Sequence, residues 1–197
     1  HHHECHTELP HCPTVNPHRP DCPYPFKELS GVGVVYKLIT AAEEIRTGEP
    51  RATVAARLFS SYADLVAIGT IADVMPVTGE NRIIVSYGLH MMERPARVGL
   101  VALMDAAAAP TDAKHPEKRR KKPKITSSYI GYTLAPRINA AGRIMSASMA
   151  VELFLAEDYH KAYAIAEELC DANRRRQAEE NKIIKEAYAA IEGDPKL

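Results

Sequence analysis

Six prolines within the first 28 residues, Pro10, Pro13, Pro17, Pro20, Pro23 and Pro25, rule out a helix there. Each lacks an amide hydrogen, and its ring collides with the preceding helical turn, so this His- and Cys-rich stretch has to be loop. Periodic sequence begins only afterwards. Across residues 30–46, Val32, Val35, Tyr36, Leu38 and Ile39 recur near helical spacing, and Ser30 is a suitable N-cap. Residues 53–60, 81–93 and 98–108 also read as helices. Residues 159–191 could form one helix about 50 Å long at 1.5 Å rise per residue.

The run LVAIGT at 65–70 is short, apolar and closed by a glycine, which predicts a buried strand of an α/β sheet. Asp73 then falls just past the strand's carboxyl end, the edge at which open α/β sheets hold ligands. Residues 110–124 break the pattern with Pro110, Pro116, Pro123 and the run Lys118-Arg119-Arg120-Lys121-Lys122. They read as a linker. Such runs are usually solvated; the alternative is attraction of phosphate without sequence readout.

Lys plus Arg equals Asp plus Glu at 25 each, so any nucleic-acid binding has to use a local patch. No apolar run of about 18 residues marks a membrane span, and no signal peptide is visible. A cytoplasmic chain is the expectation. The four cysteines, Cys5, Cys12, Cys22 and Cys170, then read as reduced thiols.

Several motifs bear on chemistry. His1, His2, His3 and Glu4 suit metal coordination through imidazole, although a purification tag leaves the same letters. Zinc at Cys5, His6, His11, Cys12 and Cys22 is disfavoured, because structural zinc pairs ligands at closer spacing. Gly31-Val32-Gly33 opens a dinucleotide fingerprint, but Tyr36 stands where its third glycine belongs. Neither a Walker A sequence nor a nucleophile elbow is present.

Three segments, in order, carry a resemblance. They are His2-His3-Glu4 followed by residues 16–26 (NPHRPDCPYPF); residues 69–76 (GTIADVMP) leading into Gly79-Glu80-Asn81-Arg82; and residues 135–143 (APRINAAGR). Together they resemble the RecJ-type exonucleases of the DHH phosphoesterase superfamily, over essentially the whole chain apart from the basic loop. The resemblance implies a two-metal phosphodiesterase using Mn2+ or Mg2+. It implies hydrolysis of single-stranded DNA from the 5′ end, in DNA repair or recombination, with single-strand-binding protein and a helicase as further partners. By position, His2 and Asp73 would be metal ligands and His3 would contact the phosphate. Arg137, Asn139 and Arg143 would lie near the nucleic acid.

His1 stands where that family has Asp, which weakens the support behind a ligand more than the cage itself. The family's Asp-x-Asp-Gly motif is expected upstream and its Gly-Gly-His segment downstream, so the cage would be incomplete within these residues. The expected fold is α/β. Residues 1–93 would be the carboxyl part of a parallel-sheet DHH domain with its connecting helix, 94–124 a helix and basic linker, and 125–197 the start of a mostly helical second segment. Two competing readings are another DHH phosphoesterase, acting on oligoribonucleotides or cyclic dinucleotides, and a catalytically dead scaffold.

Overall fold

The computed structural model describes residues 11–109 and 123–192. Among them no strand forms, so the expected parallel sheet is not found; helices take its place. In chain order these are α1 (Gly31–Thr47), α2 (Arg51–Ala72), α3 (Gly79–Glu93), α4 (Val98–Ala108), α5 (Ser127–Tyr129), α6 (Ala135–Ile144), α7 (Ser148–Leu155) and α8 (Tyr159–Glu192). A π-helical turn, Ile130–Leu134, joins α5 to α6. The described residues form two compact units. One holds 11–94 with Lys124–Tyr132, the other 95–109, 123 and 133–192.

In the first unit, residues 11–30 run without helix, as their prolines require. Ser30 caps α1 by accepting from the Gly33 amide at 3.2 Å. Gly48, at φ 70°, ends α1 in the left-handed conformation that glycine adopts without a Cβ penalty. The predicted 65–70 strand is the last part of α2. Its apolar run continues a helical stripe already set by Val54 and Leu58, through Ala63, Val66 and Ala67 to Thr70, all buried. A short apolar run cannot be told from a buried helix segment by periodicity alone. The intervening Ser60 and Ser61 do not break the helix, because their hydroxyls donate back to the carbonyls of Ala56 and Arg57.

α2 lies between α1 and α3. Glycines set both approaches: a Cβ at Gly69 would stand 2.5 Å from Val32 Cγ1, and one at Gly88 2.4 Å from the Ala63 carbonyl oxygen. By length and composition the 22-residue α2 could cross a membrane. Here its apolar side is the core of this unit.

In the second unit, α4, α6 and α7 pack on the amino-terminal half of α8, which buries Ala162, Ala166, Leu169, Cys170 and Ala172. The single long helix expected over 159–191 is observed.

Candidate functional site

Asp73 is the C-cap of α2, not a residue beyond a strand. The chain leaves the helix through a Schellman motif: the Met75 amide donates to the Thr70 carbonyl (3.2 Å) and the Val74 amide to Ile71 (3.1 Å). Position C′ of this motif calls for a left-handed residue, normally glycine. Val74 occupies it at φ 55°, with its side chain 88% exposed. A β-branched residue in that region is strained. The exposed carboxylate of Asp73 also stands at the partially negative end of α2, where an anion is disfavoured. The strained valine and a carboxylate at a helix carboxyl end therefore coincide at one turn.

Surrounding residues fix the turn. Ser30 and Thr70 are buried and their hydroxyls meet at 2.9 Å. Thr70 already donates to the Val66 carbonyl, so Ser30 is the donor of this pair. The bond joins the start of α1 to the last turn of α2. Asn81, fully buried on α3, donates through Nδ2 to the carbonyls of Glu28 (2.6 Å) and Pro76 (3.0 Å).

Beside this turn, Tyr24 donates to Glu80 (2.6 Å) and Lys37 pairs with the other Glu80 oxygen (2.5 Å), tying the proline-rich loop to α1 and α3. Burial raises the Tyr24 phenol, aided by the Glu80 carboxylate. Burial alone would lower Lys37 and raise Glu80. Their mutual hydrogen bond, with that of Tyr24, outweighs it, so Lys37 sits above and Glu80 below the ordinary value. In the sequence, Tyr24, Glu80 and Asn81 are only letters of the matched segments, with no role attached. Lys37 borders a cavity of about 340 Å³ with Asn16, Pro17, Leu29 and Val34. Its cations are already paired, Lys37 with Glu80 and Arg19 with Asp21. The cavity therefore offers no uncommitted charge for a phosphate.

His1, His2 and His3 lie outside the described residues, as do Glu4, Cys5, His6 and the basic run 118–122. Among the described residues, no three His, Cys, Asp or Glu side chains converge on a possible metal position. Asp73 fits such a group as one hard oxygen donor at a helix end that favours positive charge.

The third matched segment forms α6. Asn139 and Arg143 are exposed; four residues apart, they stand within about 40° on one face. Arg137 does not join them. Its guanidinium donates to the Thr133 carbonyl (2.5 Å) and, through Nε, to Cys170 Sγ on α8 (3.3 Å). It borders a cavity of about 300 Å³ whose wall also carries Glu167, Asp171 and Arg174; Arg174 is paired with Asp171, so the wall has no excess of positive charge to draw a phosphate.

No family model matches the chain. The single-stranded-DNA-specific exonuclease RecJ of Bacillus subtilis is 38% identical over 192 residues, covering 97% of this chain and 22% of that protein. The protein of the same description from Escherichia coli is 32% identical over 182 residues, covering 90% and 30%. In solved structures, RecJ of Thermus thermophilus in complex with Mn2+ superimposes with a TM-score of 0.66 at 33% identity, over 89% of this chain and 23% of that one. An exonuclease RecJ bound to manganese gives 0.67 at 32%, over 90% and 40%. The chain thus spans less than a third of the length of these two curated relatives.

Proposed function

The chain belongs to the RecJ family over the stretch it shares with those exonucleases, and on that premise we propose that it carries part of the active site of a divalent-metal-dependent 5′→3′ exonuclease of single-stranded DNA. The observation that carries the reading is the Asp73 turn, where an exposed carboxylate sits at a helix carboxyl end beside a strained valine. Such an arrangement is poor for a helix and good for a cation. Asp73 and His2 would share Mn2+ or Mg2+, and His3 would face the scissile phosphate. Bound divalent cations supply the positive charge that stabilises the phosphoryl group in transfer. Asn139 and Arg143, exposed together on α6, would hold the DNA backbone, while Arg137 braces α6 from its inner side. In the cell the activity would serve cytoplasmic repair or recombination, beside single-strand-binding protein and a helicase.

The test is Asp73→Asn in the full-length protein. Asn preserves size and removes charge, so the fold is retained. Cleavage of single-stranded DNA should be lost even at saturating Mn2+, with metal-free DNA binding unchanged because it rests on separate cationic groups. Near-wild-type cleavage by the Asn variant would remove Asp73 from the metal site.

A further inference from the structure

We infer that Asn81 is a positioning residue for the candidate metal site, bracing the Asp73 turn against the proline-rich loop through its side-chain amide. The inference rests on the reading of Asp73 as a metal ligand.

A left-handed valine persists only where its surroundings over-determine the backbone. On the helix side, the Schellman bonds to Thr70 and Ile71 hold the turn. On the far side, the Asn81 amide holds the Pro76 carbonyl, three residues past Asp73. The same NH2 group holds the Glu28 carbonyl, at the end of the loop that follows His2 and His3 in sequence. One buried group therefore ties the segment that bears Asp73 to the residue that closes the proline-rich loop before α1. Its two protons are both used, its Oδ1 is buried without a partner among the described residues, and its 0% exposure removes water as a competitor. Neither carbonyl can be replaced by mutation, so the amide is where the brace can be cut. Asn81 touches no reacting atom; it acts through the backbone that aims Asp73.

Serine at 81 is too short to span both carbonyls, and removing a group that orients a metal ligand typically costs 10–100-fold in metal affinity. In the full-length protein, Asn81→Ser should weaken Mn2+ binding by that factor, measured by calorimetry without DNA. Metal-free affinity for single-stranded DNA should stay within about twofold, since the phosphate-binding cations are elsewhere. Val74→Gly, which adopts the left-handed turn without strain, should recover part of the lost Mn2+ affinity when added to Asn81→Ser. If Asn81→Ser does not fold alone, the same comparison is made in the Val74→Gly background. Unchanged Mn2+ affinity in Asn81→Ser, with only a lower melting temperature, would overturn the inference and leave Asn81 as core packing. Asp73→Asn in the same titration separates the two ideas. If it too leaves Mn2+ affinity unchanged, the metal reading fails; if it alone weakens binding, only the brace fails.

Discussion

Replacing Val74 by glycine should stabilise the protein, against the usual direction for a glycine substitution. Val74 sits at φ 55° and its side chain is 88% exposed. A non-glycine residue in the left-handed region costs about 1–3 kcal/mol, and β-branching places valine toward the upper end. Glycine returns about 0.4–1 kcal/mol of this through the greater freedom of its unfolded chain. The buried area lost with so exposed a side chain is negligible. The net expectation is a gain of about 1–2.5 kcal/mol, each kcal/mol being worth roughly 2–4 °C for a domain of 150–250 residues. Val74→Ala separates the two contributions, because it keeps the Cβ and drops the branch; it should gain less than glycine. Thermal and denaturant melts of the three proteins, with amide exchange at Met75 as a reporter of the Schellman bond to Thr70, make the assay. If Val74→Gly is no more stable than wild type while the Met75 amide remains protected, strain at Val74 is not the cost assigned to it.

Glu80 is held below its ordinary value by Lys37 and Tyr24 despite burial, so its contribution is full above the unfolded carboxylate value and fades as pH falls through the folded one. The stability difference between wild type and Glu80→Gln should therefore shrink on acidification below the ordinary carboxylate range, and pH-dependent melts that show a constant gap would refute the pairing. On α6, Arg143→Gln should make the salt dependence of single-stranded DNA binding shallower by about 0.7 in log–log slope, the amount per phosphate contact. Arg137→Gln should leave that slope unchanged and cost about 1–2 kcal/mol of stability through its lost hydrogen bonds; the reverse pattern would make Arg137 the DNA contact.

The candidate site was legible as letters more than as geometry. The three matched segments name His2, His3, Asp73, Arg137, Asn139 and Arg143 as candidates, because residue identity, order and spacing are sequence properties. The environment of Asp73 was not legible. A carboxylate after LVAIGT looks the same whether the apolar run is a strand or the last turns of a helix, and the two serines at 60 and 61 hid the continuity of α2. Arg137 belongs to the same matched segment as Asn139 and Arg143, but the two-residue step from it to Asn139 is about half a helical turn, and its guanidinium bonds to Cys170 on α8, which membership of a segment does not reveal. The roles of Asn81, Glu80 and Tyr24 had no sequence signal beyond membership of a matched segment. Their partners lie 53, 43 and 56 residues away: Glu28, Lys37 and Glu80 respectively.

Local chemistry is what the sequence by itself determined. Proline geometry kept residues 11–30 out of helix, the Ser30 hydroxyl started α1, and 3.6-residue periodicity laid out α3, α4 and α8. These are interactions within a turn or two of chain, so the residues that cause them are neighbours in the sequence. Only the tertiary structure decided that residues 65–70 are helical, that Val74 is held left-handed, and which side chains converge on the Asp73 turn. Those outcomes depend on what packs against an apolar face and on which distant carbonyl a buried amide meets. A hydrophobic run specifies that it will be buried; the partners that bury it, α1 and α3 here, specify the form in which it is buried.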